Sequence, residues 1–139
     1  MTPTGAMLQP VLAMAGLTAM VWIRLYTVRL PEMRRRRIDP QSLATSGEKA
    51  GRLQDTRASD NFINLFEVPV LFYVGAFAAI LADAVTPLAL GLAWTFVGLR
   101  AVHSLIQCTY NRVVHRFVAY SLATLAAIAL LVHVALHLR

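Results

Sequence analysis

The chain has 139 residues, of which 58% are hydrophobic and only 14% charged, with a formal charge of +6. A soluble domain carries about a quarter of its residues as charges and cannot hide this much apolar surface at this size, so a soluble enzyme, a disordered tail and a disulfide scaffold are all disfavoured. Nucleic acid is not an expected partner, because most of the twelve arginines lie in one stretch between two apolar segments and not on an open basic face.

The first apolar segment covers residues 8–26. It has no basic start, and Arg24 and Arg29 follow the apolar run, so it reads as a retained helix and not as a cleaved signal peptide. Three further segments cover residues 62–82, 85–107 and 117–136. Each has about twenty residues, enough at 1.5 Å per residue to cross about 30 Å of hydrocarbon. Backbone groups in lipid must pair within their own segment, which predicts helices. A transmembrane barrel needs alternating segments of about ten residues, and the run over residues 122–132 does not alternate. The expected fold is an all-α membrane protein, one four-transmembrane-helix bundle with helices over about 8–28, 60–82, 85–108 and 115–137 and a basic loop over about 29–57. That loop holds eight positive charges, including Arg34, Arg35, Arg36 and Arg37. Asp83 and Ala84 make a very short second connection before Pro87, and the third carries Arg112 and Arg116. Positive loops stay in the cytoplasm, so both termini are expected outside it. The basic loop also suits contact with lipid headgroups. The excess of arginine over lysine, with abundant alanine, points to a bacterial inner membrane.

Polar residues inside these segments gather at the end expected to face the cytoplasm. At about 100° per residue, Arg57, Asn61, Asn64 and Glu67 share an arc of about 120° on the second helix. Arg100, His103, Gln107 and Tyr110 share an arc on the third. Arg116 and Tyr120 are four apart and so are neighbours on the fourth, while Arg24 lies near the same end of the first. Such groups at membrane depth face a bundle interior or an aqueous cavity. The arginines suit carboxylates, which a planar guanidinium binds with two hydrogen bonds, so an anionic, peptide-like ligand entering from the cytoplasm fits the pattern. The competing reading is that the cluster is structural: Glu67 neutralises Arg100 or Arg24, the asparagines bridge helices, and His103 is a hydrogen-bonding group. Small residues on the third helix (Gly91, Ala93, Gly98 and Ala101) permit close helix contact.

His133 and His137 are too few for a closed zinc site, so no metal is expected. Cys108 has basic neighbours, but its spacing alone does not make it a nucleophile. The chain has no phosphate-binding glycine loop, serine-nucleophile elbow or HExxH pattern.

The layout and three short motifs resemble the MAPEG family, the membrane-associated proteins in eicosanoid and glutathione metabolism. The motifs are Asn64-Leu65-Phe66-Glu67-Val68-Pro69, Arg100-Ala101-Val102-His103 and Arg116-Phe117-Val118-Ala119-Tyr120. The resemblance implies a homotrimer of four-helix bundles with glutathione bound between subunits near the cytoplasmic side. It implies that Arg116 activates the glutathione thiolate, with Tyr120 one turn later. Arg100 and His103 match residues lining that site, Asn64 and Glu67 match a helix-two asparagine and glutamate, and Arg24 or Arg29 matches a helix-one arginine that contacts glutathione. The chain departs from the family pattern at two points, the helix-two pattern, which neither register satisfies, and Gln107. Asp60 stands four residues before Asn64, where the family often has arginine. Arg57 has that spacing to Asn61, but Asn64 then replaces the glutamate. Gln107 stands where prostaglandin E synthase-like members place a tyrosine. The function implied is a glutathione transferase or peroxidase that attacks lipophilic electrophiles with a thiolate. The alternative is a non-catalytic structural or lipid-binding membrane subunit.

Overall fold

The computed structural model describes residues 2–138, which build four apolar rods. Helix α1 runs over Pro3–Arg36, with Thr2 as N-cap and Pro3 in the first turn, where a missing N–H costs nothing. Met7, Val11, Met14, Leu17, Val21 and Leu25 form its buried stripe, at the spacing of three and four residues that a helix needs. The basic loop expected to begin at residue 29 begins only after Arg36. The extra turns persist because Glu32, buried on this end of α1, accepts from Arg36 Nη1 at 2.8 Å and from the Gln54 N–H at 2.7 Å. The loop's return path thus holds the helix extension in place. A 3₁₀ turn over Pro40–Leu43 and the short helix α2, Ser46–Arg52, fill the connection.

The second span is not one continuous helix. Helix α3, Arg57–Asn64, stops, and α4, Val68–Leu81, restarts after three residues, of which Glu67 has φ −96° and ψ −101°. Pro69 is the local cause. It has no N–H to give the Leu65 carbonyl, and its ring crowds the preceding turn. Irregular backbone at membrane depth survives only where protein or a cavity covers it, and here Leu65 and Val68 are buried. Helix α5, Pro87–Cys108, is capped by Thr86, whose hydroxyl accepts from the Ala89 N–H. Helix α6, Val113–His137, follows a turn in which Asn111 takes φ 49°, a conformation asparagine tolerates better than most residues.

Four segments are long and apolar enough to span a membrane: Pro3–Arg36, Arg57–Leu81, Pro87–Cys108 and Val113–His137. Helix α5 packs most extensively on α6, α6 also packs on α4, and α1 leans on α3, α4 and α5. Phe72 and Phe96 stack at 4.5 Å between centroids in the apolar half, beside Ala76, Ala93, Ala123 and Ala127. The small residues of α5 divide. Ala93 is buried, whereas Gly91, Gly98 and Ala101 are exposed, and neither glycine has a neighbour close to where a Cβ would stand. The close helix contact expected of them is made instead at Gly75, where a Cβ would meet Leu130 and Leu131 at 3.4 Å.

Candidate functional site

The buried polar side chains at the basic end of the bundle are Asn61, Arg100, His103, Ser104 and Gln107, together with Glu32 on α1. The break between α3 and α4 organises the largest group of them. In a continuous helix the Asn64 carbonyl would take the Val68 N–H. Here it accepts from Arg100 Nη2 at 2.7 Å. The Asn64 side chain donates to Gln107 Oε1 at 3.0 Å, and the same oxygen lies 2.9 Å from His103 Nε2. His103 Nδ1 lies 3.0 Å from the Arg116 carbonyl. A backbone carbonyl and a side-chain amide oxygen both only accept, so the two contacts are hydrogen bonds together only when the ring carries a hydrogen on each nitrogen. Both ring nitrogens are therefore engaged by protein groups, and His103 acts here as a strut between α5 and α6. Gln107, four residues from His103 and so on the same helix face, is the hub that sequence reading noticed but left out of the site.

Asn61 faces elsewhere. It accepts from Ser104 Oγ at 3.3 Å and approaches Cys108 Sγ at 3.5 Å, bridging α3 to α5 below the first group. Arg57 is taken up by the fold as well. It donates to both carboxylate oxygens of Asp55 at 2.9 and 2.7 Å and to the Thr109 carbonyl. The Arg57 guanidinium holds the Asp55 carboxyl below the usual carboxylate range, so this contact is present at neutral pH and is lost as pH falls through that lowered value. The shared arc expected of Arg57, Asn61, Asn64 and Glu67 is broken, because a periodic face exists only along an unbroken helix.

What remains is a cleft of about 220 Å³ lined by Asn64, Glu67, His103, Val113, Arg116, Phe117 and Tyr120. It brings together five residues expected at the site. Arg100 is not on its surface: that side chain is fully buried behind Asn64, with its Cζ 5.6 Å from the centroid of the Tyr120 ring. Its Nε and Nη1 have no hydrogen-bond partner among the described residues. Glu67 is exposed and attracts the Arg100 guanidinium at a distance, and among the described residues no ion pair joins them. Arg24 and Arg29 lie on α1, outside the cleft. Arg24 lines a separate groove with Ser104, Leu105 and Cys108. Among the described residues no group of three metal-ligating side chains occurs.

Arg116 is the arginine of the cleft. It sits in the first turn of α6, half-buried, and its Nη1 donates to the neutral Asn111 Oδ1 at 2.8 Å. Asn111 was missed by sequence reading; its one signal is an asparagine in the turn ahead of a helix. Helix N-termini carry partial positive charge and favour acidic residues. This one has none in its first turn and carries Arg112 and Arg116 instead. The ion pairs among the described residues involve neither arginine. The cleft therefore holds Arg116 outside any ion pair among the described residues, with the Glu67 carboxylate also on its lining, beside the apolar side chains of Val113 and Phe117.

The MAPEG family model matches residues 7–136. The chain belongs to the MAPEG family. It is accordingly an integral membrane protein with four spans, as the sequence reading of fold and family expected. No curated protein and no solved structure shows a significant match to it. Within this MAPEG chain, the three resembling motifs meet around one place: Asn64 and Glu67 at the break, His103 on α5, and Arg116 with Tyr120 on α6.

Proposed function

We propose that this MAPEG protein is a membrane glutathione transferase or peroxidase acting on lipophilic electrophiles. The observation that carries the reading is Arg116, outside any ion pair among the described residues and in the first turn of a helix, in a cleft whose lining mixes polar and apolar side chains. Positive charge beside a thiol favours its anion. The glutathione thiol gives its proton to water, and the thiolate attacks without a protein nucleophile. At an electrophilic carbon the C–S bond forms as the bond to the leaving group breaks, and that group departs with the electron pair. At a hydroperoxide the O–O bond breaks to give an alcohol and a sulfenic acid, which a second glutathione converts to the disulfide and water. The Asn111 contact orients the guanidinium but leaves its charge free. Val113 and Phe117 face an electrophile arriving from the bilayer. Calorimetric titration of the detergent-purified protein with glutathione tests the reading: binding that weakens in Arg116→Ala supports it, and absence of binding overturns it.

A second reading is favoured by the closed network of Arg100, Asn64, Gln107, His103 and the Arg116 carbonyl. On that reading the cluster holds the helices together, and the protein is a non-catalytic structural or lipid-binding subunit. The two readings divide the same end of the bundle, with a buried half that is structural and an exposed half that is available to a ligand. No response to glutathione leaves only the structural half.

The proposed assembly is a homotrimer. A cleft of about 220 Å³ is smaller than the roughly 300–1,000 Å³ of ordinary ligand pockets, and Glu67, Val113 and Phe117 are exposed on its rim. A second copy completing the wall accounts for both features, with Arg24 or Arg29 of a neighbour as a further contact to the ligand. Mass measurement in mild detergent is expected to give three chains, and a stable monomer would remove the site between subunits. The proposed orientation places the basic loop and the cleft in the cytoplasm and both termini outside it. Single cysteines at Thr4→Cys and Gln41→Cys, in a Cys108→Ala background, check this with an impermeant thiol reagent on intact cells. Labelling at position 4 with protection at position 41 is expected, and the reverse pattern inverts the topology.

A further inference from the structure

Helix α1 is longer than a bilayer's hydrocarbon is thick. Its 34 residues run about 51 Å at 1.5 Å per residue, against about 30 Å of hydrocarbon. A span starting near Pro3 leaves the hydrocarbon about twenty residues later, close to Trp22 and Tyr26. Aromatic rings collect at that depth, and these two rings are exposed and pack edge to face at 5.1 Å. The last turns of α1 then stand among the headgroups, held rigid by the buried Glu32.

Trp22, Tyr26, Leu30 and Arg34 follow one another at intervals of four residues, so they form a ladder on one face. With Ile23 and Pro31 they line a groove of about 520 Å³. Pro31 lacks the N–H that the Thr27 carbonyl would otherwise take, which interrupts the helix surface in the middle of the groove. Read from the deep end, the ladder is aromatic, then apolar, then cationic. The basic end is not neutralised by the protein. Among the described residues Arg36 has an ion-pair partner, Glu32, while Arg34, Arg35 and Arg37 have none.

We propose that this groove is a binding site for an acidic phospholipid. One acyl chain lies against Trp22, Ile23, Tyr26 and Leu30, and the phosphate meets Arg34, the arginine that lines the groove. The apolar wall retains any lipid; the unpaired Arg34 selects one with a net negative headgroup. No residue of this groove lines the cleft: it needs neither glutathione nor Arg116, and it stands or falls separately from the proposed activity.

Trp22 is a built-in reporter, because the chain has only two tryptophans. The experiment uses the Trp94→Phe protein in phosphatidylcholine bilayers. Brominated-chain phosphatidylglycerol is titrated in, and brominated-chain phosphatidylcholine in a parallel series. Each arginine near an anionic surface is worth about 1 kcal/mol, about a fivefold preference. Brominated phosphatidylglycerol is therefore expected to quench Trp22 at about a fivefold lower mole fraction. Arg34→Gln is expected to bring the two lipids together, while Arg112→Gln, on another loop, leaves the preference intact. Arg34 is exposed, so its replacement leaves the fold standing, which far-ultraviolet circular dichroism checks. Equal quenching by the two lipids in the parent protein overturns the proposal. So does a preference that survives Arg34→Gln or is lost equally in Arg112→Gln. Absence of quenching by either lipid means that a second copy of the chain covers the groove, and it overturns the proposal as well.

Discussion

Arg116→Ala is expected to reduce glutathione turnover by about 10²–10³-fold while weakening glutathione binding much less. That is the cost of removing one preorganised group aimed at developing negative charge. The asymmetry follows from where the charge acts. Arg116 lies in the first turn of α6, held by Asn111 Oδ1 at 2.8 Å and by no carboxylate among the described residues. On the proposed function its field would be felt most by the thiolate, whereas the remainder of the tripeptide would have the rest of the cleft to hold it. Arg116→Lys is expected to recover only part of the rate, because lysine keeps the charge but not the planar fork that Asn111 orients. Asn111→Ala is expected to fall between, since the charge survives and its position is lost. Steady-state kinetics, with the ultraviolet absorbance of the bound thiolate, separates these cases. If glutathione binds and no thiolate signal appears at neutral pH in the wild-type protein, the activating role of Arg116 is wrong.

Gln107→Leu is expected to be the most destabilising polar-to-apolar change in the cluster. The Gln107 side-chain oxygen meets two groups at once, the Asn64 amide at 3.0 Å and His103 Nε2 at 2.9 Å. Gln107 is 1% exposed and His103 is 2% exposed, so water cannot replace the lost partner. The buried His103 left unpaired costs about 1–3 kcal/mol, while Asn64, half-buried in the lining of the cleft, can turn to water. At about 2–4 °C per kcal/mol for a chain of this size, the unfolding midpoint in detergent is expected to fall by about 2–12 °C. Gln107→Glu keeps an acceptor oxygen of the same reach and is expected to retain most of the stability. Equal losses in the two variants would mean that packing volume, not the shared oxygen, is what the position supplies. A tyrosine at this place, as the resemblance to prostaglandin E synthase-like members leads one to expect, would not present the same carbonyl acceptor, so Gln107 has a structural role of its own here.

Four apolar runs of about twenty residues specify four spanning helices by themselves, because in lipid each segment must satisfy its own backbone. The gathering of Arg24, Asn64, Glu67, His103 and Arg116 at one end is equally a property of position along the chain, and three short motifs were enough to indicate the family. Which of these side chains meet was decided only in the tertiary structure. Pro69 breaks the second span, so Glu67 no longer shares a face with Arg57 and Asn61, and the carbonyl freed at Asn64 becomes the anchor for Arg100. Arg57 is drawn to Asp55 and Thr109, and Arg100 is buried behind the wall that it was expected to line. The arc of a helix can be counted from a sequence as long as the helix continues. A hydrogen bond between two helices depends on how they rotate and where they break, and here that rotation left Arg116 and Tyr120 on the surface of the cleft and Arg100 beneath it.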